Sequence, residues 1–258
     1  MKQDKKIIYY TDELENEFST AQITPKKIDE NYNYKTGFLF TIGHLFFYEI
    51  IAKPVAYCFL KLKFGHKIVN KHLLKEAKKD GYFLYGNHTN DMADALIPSM
   101  LTFPKDVYVI VHPNNVSMPL LGKITPFLGA IPLPDDMKAA KNFNKAVKEK
   151  IDKNHCVTIY PEAHIWPYYT KIRPFKDTSF GYPIKQNAKV FCFTNTYQKR
   201  KGRKTPRIVT YVDGPFLVNN NLPLKQQREY LRNQVFEAMT KASKNNNVEM
   251  IQYMKAEE

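Results

Sequence analysis

Residues 82–98 read YFLYGNHTNDMADALIP. Tyr82–Gly86 is a short aromatic and aliphatic run closed by glycine, the signature of a buried strand. Asp91–Leu101 then places apolar residues at helical spacing. A strand therefore passes into a helix across the polar residues Asn87–Asn90. The same exchange recurs downstream. Strands are predicted at Val107–Val111, Ala130–Leu133, Cys156–Tyr160, Lys189–Tyr197 and Arg207–Val212. Helices are predicted at Pro119–Leu128, Asp136–Lys153 and Leu224–Lys244. Strands separated by helices predict an α/β domain with a mostly parallel central sheet flanked by helices.

Upstream the pattern changes. Residues 1–36 are polar and charged apart from the apolar patches Ile7–Tyr10 and Ala21–Thr24, and are read as an extension that is loose or drapes over the rest. Residues 37–62, GFLFTIGHLFFYEIIAKPVAYCFLKL, are rich in Phe, Leu and Ile. A spanning helix needs ~20 predominantly apolar residues, and Lys53-Pro54 interrupts the run. The prediction is an apolar helical hairpin over residues 37–64 lying in a membrane interface, followed by a catalytic domain over 65–258. Seven lysines and two acids in residues 61–80 fit contact with an anionic membrane surface.

The chain has 258 residues, 43% of them apolar and 25% charged, which excludes a disordered tail, a collagen and a coiled coil. Its net charge of +14 favours an anionic partner. Cys58, Cys156 and Cys192 are too few and too scattered for a disulfide framework or a Cys-rich zinc site, and fit a reducing compartment. The N-terminus has no apolar h-region and does not read as a secretory signal. The expected location is the cytoplasmic face of the cell membrane, in a peripheral or monotopic manner.

The chemistry is concentrated in two strand-end motifs. His88 follows the strand ending at Gly86, with Asp91 and Asp94 close behind. A histidine beside a carboxylate is the minimum equipment of a general base. The alternative for His-x-Asn-Asp is a helix N-cap with a satisfied histidine. In TIYPEAHIWPYYTKIRPFKDTSF, residues 158–180, a second strand ends in the turn Pro161-Glu162. Glu162 comes near His88 if the two strands are neighbours. Lys171, Arg173 and Lys176 follow on a loop where they could hold phosphate oxygens.

In this order the motifs resemble the glycerolipid acyltransferase family, the enzymes of phospholipid synthesis that act on glycerol-3-phosphate and lysophosphatidate. Asn87-His88 followed by Asp94 is similar to the family's His-x4-Asp motif, Tyr160-Pro161-Glu162 to its Phe-Pro-Glu-Gly motif, and Lys171–Lys176 to the Pro-Phe-Lys run after it. Gly129–Pro132 resembles the intervening glycine strand and Val190–Thr194 the later Val-Pro-Val strand. The resemblance covers roughly residues 60–215. It implies an acyl thioester donor, on coenzyme A or acyl carrier protein, and a lipid or glycerol-phosphate type acceptor. It implies no cofactor beyond that donor and no metal. His88 would be the general base, oriented by Asp94, with Asn87, Thr89, Glu162, Ala163, His164, Lys171, Arg173 and Lys176 on the substrate side. Glu162 would hold an acceptor hydroxyl or brace the loop, and backbone N–H groups near Glu162-Ala163 could stabilise the oxyanion.

Three departures stand out. The His-to-Asp spacing is one residue longer, with Ala93 at the family's Asp position. One residue is 100° of helical rotation, so either the loop absorbs it or Asp91 takes the role; Asp94 is preferred. The phosphate-gripping Arg after the glycine strand has no counterpart. Ala163-His164-Ile165-Trp166 replaces Gly-Thr-Arg-Ser. Two rival readings remain. One is a metal-dependent hydrolase using His88, Asp91, Asp94, Glu162 and His164, although no His-Glu-x-x-His spacing occurs. The other is a non-catalytic basic lipid- or nucleic-acid-binding protein using QKRKGRKTPR, residues 198–207. Nucleic acid is disfavoured because no aromatics interleave that run.

Overall fold

The fold is known from a computed structural model, which describes residues 6–18, 23–35 and 37–256. Half of the Ala21–Thr24 patch lies outside the described residues. The strands are β1 (Lys6–Tyr10), β2 (Lys67–Val69), β3 (Tyr82–Gly86), β4 (Val107–Val111), β5 (Ala130–Pro132), β6 (Cys156–Ile159), β7 (Lys189–Gln198), β8 (Arg207–Phe216) and β9 (Ile251–Lys255). Seven of them form one sheet in the order β2-β8-β7-β3-β6-β4-β5. Pairing is parallel throughout except between β7 and β8, which form an antiparallel hairpin.

Both faces of the sheet are covered, which is why β3 and β6 are buried along their whole length. On one face, Tyr82 and Leu84 of β3 and Phe191 and Phe193 of β7 pack with Ile97 and Leu101 of the Asp91–Thr102 helix and with Leu60 and Phe64. On the other, Phe83, Tyr85, Val157 and Ile159 meet Phe143 and Val147 of the Met137–Asp152 helix and Leu231, Val235 and Met239 of the Leu224–Ser243 helix. Successive strand residues thus serve opposite cores.

The expected apolar hairpin is a single helix, Phe38–Phe64, long and apolar enough by length and composition to cross a membrane. Lys53-Pro54 does not break it. The turns just before the proline, Leu45–Ala52, are π-helical, and the N–H of Lys53 reaches back five residues to the carbonyl of Tyr48. The wider turns leave room where an interior proline would otherwise collide with the preceding turn. They also keep the inward face in register. The buried positions are His44, Tyr48, Lys53, Ala56, Leu60 and Phe64, and the single five-residue step falls within this wide stretch. The outward positions, among them Phe38, Leu39, Ile50, Val55 and Leu62, are exposed.

Polar contacts tie the helix to the sheet domain. His44 Nδ1 donates to the carbonyl of Phe127 at 2.6 Å, and the Lys53 ammonium sits between Glu49 and Asp106. The extension before the helix does drape over the domain, and it adds a strand the sequence reading lacked: β1 pairs in parallel with β9 in a separate two-stranded sheet. The lysine-rich stretch 61–80 runs from the end of the apolar helix through β2 and a short 3-10 helix, Lys71–Ala77.

Candidate active site

β3 and β6 are neighbours with Tyr85 opposite Ile159, so the turns following them emerge side by side at the carboxyl edge of the sheet. Gly86 closes β3 because the ring of Phe193 lies where a side chain would be, 2.2 Å from a Cβ placed there. Residues 87–90 then run extended to Asn90 (φ −155°), whose side chain accepts the N–H of Ala93 and caps the Asp91–Thr102 helix.

Asp94, in the first turn of that helix, is buried and folds back over the loop. Its Oδ2 accepts the backbone N–H groups of Thr89 (2.7 Å) and Asn90 (2.8 Å) and lies 3.0 Å from His88 Nδ1. The extra residue between His88 and Asp94 is therefore absorbed in the extended loop. Asp94, not Asp91, meets the imidazole. Asp91 is exposed, and its carboxyl is pushed upward by partial burial and by the neighbouring Asp94 charge. The His88 ring stacks on Tyr160 with centroids 4.5 Å apart, its side chain is 19% exposed, and its Nε2 has no hydrogen-bond partner among the described residues. The hydroxyl of Tyr160 donates to the carbonyl of Asp94.

Glu162 braces the loop. Its Oε2 accepts the N–H of His88 at 3.0 Å, its Oε1 accepts the N–H of Arg173 at 2.9 Å, and the Arg173 guanidinium lies 3.6 Å away. Burial pushes the Glu162 carboxyl upward, and the Arg173 charge opposes that. Arg173 itself is fully buried, stacked over Trp166 and donating to the carbonyls of Glu13 and His164. The expectation that it meets substrate phosphate is corrected: its charge is consumed inside the domain, holding a carboxylate.

Asn87 and Thr89 also face inward. Asn87 exchanges hydrogen bonds with the backbone of Asn195, and the hydroxyl and carbonyl of Thr89 meet the hydroxyl of Tyr197. They position the loop rather than offer groups to a ligand. Ala163 occupies the left-handed region at φ +62°, where the family has glycine. Its N–H goes to the carbonyl of Tyr160 and that of His164 to the carbonyl of Glu162, so neither is presented to an oxyanion in this structure. His164 Nδ1 is turned to Glu17 at 3.1 Å. Lys171 and Lys176 are exposed, and Lys176 faces Glu15. His88, Asp94, Glu162, Asn87, Thr89 and Arg173 are thus brought together, while His164 and Lys176 turn to Glu17 and Glu15 and Lys171 is exposed on the loop.

The metal-hydrolase donor set does not converge either, because Asp94 is filled by N–H donors, Glu162 is held by the N–H groups of His88 and Arg173, and His164 is turned to Glu17. Among the described residues the three groups close enough to hold an ion are His44, Glu49 and Asp106, and the Lys53 ammonium already lies between those two carboxylates. The basic run 198–207 is the β7–β8 connection, and Arg200 donates to the carbonyl of Lys63 at 2.9 Å, docking the loop on the end of the apolar helix.

Sequence reasoning missed Tyr160 as the surface supporting the imidazole, and missed Asn195, which donates to Asp94 from the middle of β7. An asparagine inside a strand of Val, Phe, Cys and Thr was the available signal, since strands disfavour it.

Residues 67–193 match the family model described as Acyltransferase. Over that stretch the chain is similar to the acyltransferase family. Among solved structures, the 1-acyl-sn-glycerophosphate (LPA) acyltransferase PlsC from Thermotoga maritima superposes with a TM-score of 0.53 at 16% identity over 79% of each chain, a likeness of fold. No curated protein matches the chain. The family match supports acyltransferase activity.

Proposed function

We propose that the chain transfers a fatty acyl group from an acyl thioester to a hydroxyl of a lysophospholipid or glycerol-phosphate type acceptor, with His88 as general base. One observation carries this reading. The His88 ring is held at Nδ1 by a buried carboxylate while Nε2, on a partly exposed ring, has no partner among the described residues. Nε2 takes the proton of the acceptor hydroxyl. The oxygen attacks the thioester carbonyl, the tetrahedral intermediate collapses, and the thiolate leaves, receiving the proton from the imidazolium. Asp94 stabilises the imidazolium between these steps. No protein nucleophile is needed. Cys156 and Cys192 are buried, and burial pushes both thiols upward, to about 12 for Cys156.

The donor is acyl-coenzyme A or acyl carrier protein, whose acidity suits the chain's positive charge. The Phe38–Phe64 helix packs one face along the domain and exposes the other, which suits a helix lying in an interface better than one crossing it. Its basic C-terminal end, joined by the Arg200 loop, suits the anionic cytoplasmic leaflet, at ~1 kcal/mol per basic residue near the surface. Lys171, exposed on the post-Glu162 loop, is the cation this reading assigns to an acceptor phosphate.

The test incubates the purified protein with radiolabelled acyl-coenzyme A or acyl carrier protein and a panel of lysolipid and polyol acceptors. His88→Ala is expected to stay folded and lose ~10²–10⁴-fold in rate. Turnover near the wild-type value would remove His88 from the mechanism.

A further inference from the structure

Four donors converge on the carboxylate of Asp94. Three come to Oδ2, from the loop that carries His88 and from the ring itself. Oδ1 receives one, the Asn195 amide at 3.1 Å, from the middle of β7. The chain of bonds continues through β8. Thr210 Oγ1 donates to Asn195 Oδ1 at 2.7 Å, and His66 Nε2 lies 2.9 Å from Thr210 Oγ1. Because the one hydroxyl proton of Thr210 is directed at Asn195, His66 is the donor of that last bond. All three side chains are buried.

Every proton from His66 to Asp94 therefore points the same way. Reversing the Asn195 amide would set its carbonyl against a carboxylate and its NH2 against the Thr210 proton. The backbone of Asn195 is held as well: its N–H and carbonyl both bond the side chain of Asn87, the residue before His88. With donors on both oxygens, Asp94 acts only as an acceptor, so His88 Nδ1 carries a hydrogen and Nε2 keeps its lone pair.

We propose that Asn195 and Thr210 are positioning residues of the acyl-transfer site, locking Asp94, and through it the tautomer and orientation of His88, with His66 as the first donor of the chain. The proposal rests on the reading of His88 as the base. The neutral state of His66 fits it, since burial and the Lys61 ammonium push its pKa down to about 4. His66 also lines a groove of about 470 Å³ between the apolar helix and the Asp91–Thr102 helix, so the chain runs from that groove to the imidazole. Without the Asn195 donor, Oδ1 is a bare oxygen in a buried place. The carboxylate then turns or takes a proton, and His88 Nδ1 loses its acceptor.

The full chain is used, in detergent micelles, as wild type, Thr210→Val, Thr210→Ser and Asn195→Asp. The groups facing the His88–Asp94 pair are Asp91, Glu162, Tyr160, Tyr168 and Tyr197, and they are unchanged in these variants. The first readout is the His88 ring in long-range 15N–1H NMR, assigned against His88→Ala and needing no substrate. Wild type and Thr210→Ser are expected to show the Nδ1–H form, and Thr210→Val a mixture. The second is acyl-transfer kinetics: kcat falls about 10–100-fold in Thr210→Val with KM unchanged, and Thr210→Ser restores it. In Asn195→Asp a second carboxylate faces Asp94, and the acidic limb of kcat/KM moves up by about one pH unit or more. A loss of folded protein would scale the rate equally at all pH values and would not move that limb. An unchanged ring spectrum in Thr210→Val, together with an unmoved limb in Asn195→Asp, overturns the proposal. A wild-type protein that transfers no acyl group refutes the acyltransferase reading instead, and the ring spectra still decide whether the chain of bonds sets the tautomer.

Discussion

His66 makes the protein sensitive to acid in a way that can be calculated. Its side chain is 3% exposed, and burial, with the Lys61 charge adding to it, lowers its pKa from 6.5 to about 4. Between those values the unfolded chain binds a proton that the folded chain refuses. The contribution is therefore complete above the unfolded value and is lost as pH falls toward the folded one. Each pH unit of difference corresponds to ~1.4 kcal/mol, so the window is worth about 3 kcal/mol. The perturbation is His66→Gln, which keeps an amide N–H for Thr210 and cannot titrate. Urea unfolding of both proteins, followed by far-UV circular dichroism, is measured from about pH 7.5 to about pH 4. The carboxylates common to both cancel in the difference. The stability of wild type relative to the variant should fall by about 3 kcal/mol across the window. A difference that stays flat, or one that grows in acid, would mean that His66 is solvated or is paired as a cation, and would refute the reasoning.

Two further outcomes follow from the brace behind the imidazole. Arg173→Met leaves the buried Glu162 carboxylate without its cation and should cost about 3–5 kcal/mol in chemical unfolding, partly recovered by adding Glu162→Gln. Arg173→Lys should not restore it, because the two guanidinium ends reach separate carbonyls. Ala163→Gly should raise stability by up to about 1 kcal/mol, read as a higher unfolding midpoint, because it relieves an alanine held at φ +62°. A lower midpoint would mean that the alanine methyl contributes packing there.

The readable part of this protein is local. Tyr82–Gly86 and Cys156–Ile159 are short, wholly apolar and closed by turn residues, so both strands are visible in one dimension. His88 and Glu162 stand at the ends of those strands, and their approach follows once β3 and β6 pair. The preference for Asp94 over Asp91 is right, but what secures it is not legible in the sequence. It depends on the extended backbone of Asn90 and on the two backbone N–H groups, of Thr89 and Asn90, that meet Asp94 only when the loop is folded. Pro54 reads as a break in the sequence because a proline looks the same whether the helix before it is α or π; the wide turn precedes Lys53, which lies between Glu49 and Asp106. Arg173 looked like a cation for phosphate because its burial comes from Trp166 and Glu162 closing over it.

Composition and alternation by themselves determined the layers, the parallel strands and the place where the chemistry collects, because those follow from which residues avoid water and how far apart they stand. Only the tertiary structure decided which charges are spent internally and which atoms hold the imidazole. Asn195 is 101 residues from Asp94, and His66 is 144 from Thr210. A hydrogen bond acts over about 3 Å of space whatever the length of chain between its partners.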